Sequence, residues 1–290
     1  MPQSDDELKC GIAARCNCKT GRSQCFEADT EDRLTYLLQD NCLTWGNTGI
    51  IELLPSGDRV LKSPHPQGSS YDKQWQRKQL RREFEVYQRL PPYHPRVLHM
   101  FSYSDDHGLT LEYMPNGNLR AYLEKEKEIM TRQRLQWCIE AAEGVVLLHS
   151  LGIIHADIKP ENMLLDALLG VRIIDMSGSS ISGKAPLSLE STRFFLPRCR
   201  TTDMPCGVDT DLFALGSSFY QIITGRQPYA ELSDKEVEKR FACGDFPSVS
   251  GIPFGDTIRR CWRCEIGSAQ IVLDSLNAEK RRLTDADLSS

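Results

Sequence analysis

The run Ile153-Ile154-His155-Ala156-Asp157-Ile158-Lys159-Pro160-Glu161-Asn162-Met163-Leu164-Leu165 constrains this chain more than any other stretch. The carboxylate Asp157 is followed two residues on by the cation Lys159 and five residues on by the carboxamide Asn162. The apolar residues Met163 to Leu165 then lead into a strand. Phosphoryl transfer needs such an assortment in a small volume. One group orients the attacking hydroxyl, a cation offsets charge on the phosphoryl, and an oxygen ligand holds Mg²⁺.

A chain of 290 residues, 40% of them hydrophobic, can bury a full core as one bilobal unit or two domains. The net charge of −5 argues against a general nucleic-acid binder, whose footprint is basic. Met1 to Lys9 is polar and acidic, unlike a secretory signal. The longest apolar stretch, Ala141 to Ile158, is broken by Glu143, Gly144, His149, His155 and Asp157, so no membrane span is expected. Eleven cysteines without a secretion signal predict reduced thiols in a cytoplasmic or nuclear protein. Structural zinc at Cys10, Cys16, Cys18 and Cys25, or at the C-x-x-C of Cys261 and Cys264, is the alternative; neither group has a second matched ligand pair.

Residues 1–40 read as a Cys-rich leader and lead-in segment, with a weak helical signal from Glu31 to Asp40. A hairpin is expected where Gly49–Leu54 and Val60–Leu61 flank the turn residues Pro55 to Asp58. A charged loop, Ser63 to Tyr71, precedes a helix over Gln74–Leu90 that Pro91 and Pro92 stop. Val97–Tyr103 and Leu109–Tyr113 form a second hairpin-like pair, and Met114–Asn118 is a natural joint between lobes. Helices follow over Leu119–Lys127 and Arg132–Ser150, the second ended by Gly152. A strand is expected at Val171–Ile174, then an irregular surface segment over Gly178–Pro205, then mostly helix from Asp209. The fold class is therefore α+β, with a β-rich small lobe over 41–113, a helical large lobe over 114–277 and a polar tail over 278–290.

Over about residues 41–277 the chain resembles the eukaryotic protein kinases, through the catalytic-loop run and further motifs in the expected order. Thr44-Trp45-Gly46-Asn47-Thr48-Gly49-Ile50-Ile51 is similar to the Gly-rich loop, keeping Gly46 and Gly49 and placing Thr44 where the first glycine would stand. The resemblance implies a bilobal fold with an ATP cleft between the lobes. It implies that Gly46, Gly49, Ile51 and Val60 wall that cleft, and that Lys62 reaches the α- and β-phosphates while Glu83 holds it. Leu111-Glu112-Tyr113-Met114 resembles the hinge, with Leu111 behind the adenine and the backbone of Glu112 and Met114 at its edge. Asp157 would orient the substrate hydroxyl, Lys159 would sit near the γ-phosphate, and Asn162 and Asp175 would bind Mg²⁺. His155 matches the family's structural histidine. Asp211 in Asp211-Leu212-Phe213-Ala214-Leu215-Gly216 would brace the catalytic loop, and Thr224 to Tyr229 matches the turn after that helix.

Four departures bear on activity. Ala156 replaces the arginine that would meet an activation-segment phosphate, so activity is expected without phosphorylation of Ser188, Ser191 or Thr192. Asp175-Met176-Ser177 stands where the family has D-F-G; methionine can fill much of the phenylalanine's space, and Gly178 follows. Leu196-Pro197-Arg198 lies near the place of A-P-E without its glutamate, and the arginine that would pair with that acid is absent too. Thr44 is the fourth. The basic run Lys73, Arg77, Lys78, Arg81 and Arg82 reads as a solvated helix face.

These features imply an ATP- and Mg²⁺-dependent serine/threonine kinase acting on protein substrates. Lys159 points to the serine/threonine type. A monomer is expected, with no nucleic-acid or membrane partner. The alternatives are a pseudokinase serving as a nucleotide-binding scaffold and a small-molecule phosphotransferase of the aminoglycoside or choline kind.

Overall fold

The computed structural model describes residues 41–46, 48–126, 128–198 and 206–287, with side chains described up to residue 282. The leader, its four cysteines and the Glu31–Asp40 helix lie outside the described residues.

Five antiparallel strands form the first sheet: β1 (Cys42–Gly46), β2 (Gly49–Leu53), β3 (Arg59–Ser63), β4 (Met100–Ser104) and β5 (Gly108–Glu112). Their order is β1-β2-β3-β5-β4, so both expected hairpins form and β3 joins them by pairing with β5. The β2–β3 register sets Ile51 opposite Lys62. Because side chains alternate along a strand, this fixes the face on which Lys62 emerges.

Helix α1 (Ser70–Tyr87) packs on this sheet through Leu80 and Val86. It starts four residues before the expected Gln74, because Ser69 and Asp72 form a reciprocal capping box. Those two residues satisfy amide donors that the first turn would otherwise leave unpaired. The helix ends at Tyr87, ahead of the proline pair.

The large lobe is helical: α2 (Leu119–Lys125), α3 (Thr131–Ser150), α4 (Val208–Thr224), α5 (Asp234–Ala242), α6 (Gly255–Trp262) and α7 (Ala269–Asp287). Its core gathers Trp137, Cys138, Ala142 and Val145 of α3 with Phe213, Leu215 and Phe219 of α4, and with Val272 and Leu276 of α7. Burying each of the larger side chains contributes roughly 1.5–3 kcal/mol. Helix α7 runs across position 278, where a polar tail was expected to begin. Short strands β6 (Ile153–Ile154), β7 (Met163–Leu165), β8 (Val171–Ile173) and β9 (Ser180–Ile181) form two further two-stranded sheets, which pack against α3 and α2. Pairing of β6 with β9 and of β7 with β8 holds the loops that face the cleft.

The stretch from 178 onward is less superficial than its composition suggests. Phe194, Phe195 and Glu190 are buried, and a helical turn forms at Thr192–Phe194.

Candidate active site

Residues distant in sequence converge on the cleft between sheet and helices. Lys62 projects from β3 and is 5% exposed. Its Nζ lies 2.7 Å from Glu83 Oε2 on α1 and 2.7 Å from Asp175 Oδ1 beyond β8. Burial alone would push the ammonium's pKa down, but the Asp175 and Glu83 carboxylates reverse this and hold it above the usual lysine value. Glu85 pairs with Lys184 instead, as its position off that face requires.

Asp157 follows β6 and is held by its own loop. Its Oδ2 accepts from Lys159 Nζ at 2.6 Å and from Asn162 Nδ2 at 3.0 Å. Its Oδ1 is buried without a partner, and burial pushes the carboxyl's pKa up while Lys159 pulls it back. A buried acceptor of this kind suits a group that takes a proton or orients a hydroxyl.

The loop itself is braced from α4. Asp211, fully buried, accepts from the backbone N–H of His155 at 2.8 Å and of Ala156 at 2.9 Å. His155 Nδ1 accepts the Asp157 N–H, so its Nε2 donates to the Ile174 carbonyl at 2.9 Å. The histidine thus ties Asp157 to the strand that delivers Asp175, a structural role as the sequence implies.

Asp175 sits at φ 63° and lines the cleft. Met176 is fully buried in the core. Gly178 lies so close to Ser188 that an added Cβ would fall 1.7 Å from its Oγ, so this glycine serves packing. Gly49, at φ +126°, is likewise required, because a Cβ there would meet the Ser63 carbonyl.

The cleft has a volume of about 440 Å³. Thr44, Gly46, Gly49 and Ile51 form its roof, and Asn162, Leu164 and Ile174 its floor. Val60, Glu112 and Met114, expected at the cleft, are not among the residues that line it; Val60 and Met114 are buried, with Val60 paired to Leu111 across β3 and β5. Asn118, Thr192, Arg193 and Asp234 extend it toward the large lobe. Leu164 escaped the sequence reading, although its place two residues after Asn162 on a strand could have suggested a cleft-facing side chain.

The oxygen donors suit a hard cation. Asn162 spends its Nδ2 on Asp157, leaving its carbonyl oxygen as acceptor, and Asp175 Oδ1 is engaged, leaving Oδ2. Such a set fits Mg²⁺. Among the described residues no cluster of three or more His, Cys, Asp or Glu could hold a metal, which leaves the Cys261 and Cys264 pair without a zinc site there.

One sequence expectation needs correction. Arg82 is not part of a solvated face: it is 8% exposed and donates to the carbonyls of Ser179 and Ala185. A separate buried acid–arginine pair forms in the same segment, where Arg198 contacts both Glu190 carboxylate oxygens at 2.8 and 3.1 Å. No helix among the described residues is long and apolar enough to cross a membrane.

Comparison with known proteins agrees with this geometry. The family model "Protein kinase domain" matches residues 66–261. Mouse Aurora kinase C is 29% identical over 64% of this chain and 68% of its own length. Aurora-2 of Arabidopsis thaliana is 30% identical over 56% of this chain and 58% of its own length. Zebrafish serine/threonine-protein kinase PLK4 is 28% identical over 57% of this chain, a region that is only 18% of its own length. With the family model covering well over half its length and the lysine, two carboxylates and asparagine gathered at one cleft, the chain belongs to the protein kinase domain family.

Proposed function

We propose that this protein transfers the γ-phosphoryl group of ATP to serine or threonine hydroxyls of protein substrates. The observation that carries this reading is the double contact of Lys62 with Glu83 and Asp175, which spans both lobes in the arrangement phosphoryl transfer uses. Lys62, oriented by Glu83, would bind the α- and β-phosphates. Asp157 would accept a hydrogen bond from the substrate hydroxyl through its unpartnered Oδ1, and Lys159 would steady the opposite oxygen while facing the γ-phosphate. Asn162 and Asp175 would hold Mg²⁺, which supplies neutralisation of phosphate charge. Glu112 and Met114 would meet the adenine edge through their backbone, with Val60 packed against the ring. We take the working form to be a monomer, cytoplasmic or nuclear, with no nucleic-acid partner.

The scaffold reading rests on Thr44, Ala156, Met176 and Ser177, and a single assay separates the two. Radiolabelled ATP with generic protein substrates should give Mg²⁺-dependent incorporation, and Asp157→Asn and Lys62→Met should each lower it by about 10²-fold or more. Incorporation undiminished in both variants would show the roles to be misassigned; none in the wild type would favour the scaffold.

A further inference from the structure

Ser177 stands where the family places glycine, and it makes a contact glycine cannot make. It is 2% exposed, and its hydroxyl donates to Asp175 Oδ1 at 2.8 Å. The same oxygen receives Lys62 Nζ at 2.7 Å. A carboxylate rotates over a broad, roughly two-fold torsion unless something fixes it. Two donors on one oxygen remove that freedom and leave Oδ2 as the free acceptor.

The backbone around Ser177 is equally determined. Asp175 occupies the left-handed region at φ 63°, ψ 58°, and Met176–Gly178 make one tight helical turn. Ser179 N–H closes that turn on the Met176 carbonyl at 3.1 Å, and Leu187 N–H reaches the Gly178 carbonyl at 2.9 Å. Met176 is fully buried and anchors the turn from within. The backbone that carries the Ser177 hydroxyl toward Asp175 is therefore fixed by the fold.

We propose that Ser177 is a positioning residue: through its hydroxyl on Asp175 Oδ1 it orients this carboxylate so that Oδ2 faces a divalent cation accompanying the nucleotide. The inference rests on the phosphoryl-transfer reading above. Lys62 has three N–H donors to divide among Glu83, Asp175 and incoming phosphates. Ser177 is the donor on Oδ1 that has no competing phosphate to serve. The serine thus supplies locally, by one hydrogen bond to a charged acceptor, a restraint on the metal ligand that a D-F-G sequence does not contain.

The test is calorimetric titration of ATP into the full chain with and without Mg²⁺, for wild type, Ser177→Ala, Ser177→Gly and Ser177→Thr. The quantity read is the gain in affinity that the metal confers. Alanine and glycine should cut this gain about tenfold, as loss of a charge-assisted hydrogen bond does. Metal-free affinity should stay within about twofold of wild type, and threonine, which keeps the hydroxyl, should restore the gain. A purely structural role would lower both affinities together. An unchanged gain in Ser177→Ala and Ser177→Gly, or an equal loss with and without metal, overturns the proposal. A wild-type protein with no metal-dependent gain would overturn the phosphoryl-transfer reading itself, and this inference with it.

Discussion

Replacing Glu190 with glutamine should destabilise the protein, whereas replacing Glu190 and Arg198 together with apolar residues should not. The Glu190 side chain is fully buried and Arg198 is 15% exposed, so each charge depends on the other. Arg198 also donates to the Leu196 carbonyl at 3.0 Å and lies over the Phe195 ring, 4.4 Å from its centroid. Burial pushes the Glu190 pKa up by more than Arg198 pulls it down, so at neutral pH desolvation outweighs the attraction. The pair is then no net stabiliser, yet it is costly to break, because removing one partner leaves the other charge buried and unpaired.

Removing one partner of a buried pair costs about 3–5 kcal/mol. The partial exposure of Arg198 and its surviving bond to Leu196 reduce this to about 2–3 kcal/mol for Glu190→Gln. That corresponds to a fall in Tm of about 4–12 °C for a chain of this size class. The double variant Glu190→Leu/Arg198→Met leaves no unpaired charge and sets apolar side chains against Phe195. It should lie within about 1 kcal/mol of wild type. Thermal or urea denaturation of wild type, Glu190→Leu, Arg198→Met and the double closes the cycle, with Glu190→Gln measured beside it. Additive single effects, or a double as unstable as Glu190→Gln, would refute the reasoning.

Two further outcomes follow from the cleft. Dephosphorylation, or alanine at Ser188 and Ser191, should leave turnover within about twofold, because segment 179–185 is held by Arg82 rather than by a phosphate–arginine contact; Arg82→Met should lower turnover in the same assay, and the opposite pattern would sink the idea. Burial opposes ionisation of Asp175, but Lys62 and Ser177 overcome it and hold its pKa at about 2. A folded-state pKa below the ordinary carboxylate value contributes stability that is present above that value and lost as pH falls toward 2. Between pH 4 and 2, wild type should therefore lose about 2 kcal/mol that Asp175→Asn does not, read from denaturation midpoints across that range.

The catalytic loop was legible in the sequence because its chemistry is local: Asp157, Lys159 and Asn162 meet in the structure through spacings of two and five residues. Lys62 and Glu83 were legible through their order along a strand and a helix, and they do pair. The start of α1 was missed although Ser69 and Asp72 carry the capping signal, because the first turn is polar and apolar periodicity begins later. Arg82 was misplaced for a different reason. Its helical neighbours Arg77, Lys78 and Arg81 are exposed, and its partners lie 97 and 103 residues downstream. Glu190 and Arg198 match no motif; only the burial of Phe194 and Phe195 brings that segment inside.

The misplacement of Arg82 bears on one question, which is what orders the segment after Asp175 when Ala156 replaces the expected arginine. Ala156 is fully buried at φ 66°, and Asp211 fixes its backbone. That position can offer nothing to a phosphate. Helix α1 contributes the grip instead, through Arg82 and Glu85, with Arg89 just past its end. Arg82 takes the Ser179 and Ala185 carbonyls, Glu85 pairs with Lys184 at 2.7 Å, and Arg89 donates to Ser182 Oγ at 2.8 Å. The two exposed contacts are each worth at most about 1 kcal/mol, so Arg82, buried and doubly bonded, dominates. Glu83 is its immediate neighbour on the helix. The contact that orders the segment therefore also holds the glutamate against Lys62, and displacing α1 would release both at once. A phosphate on the segment has no arginine to recruit at position 156.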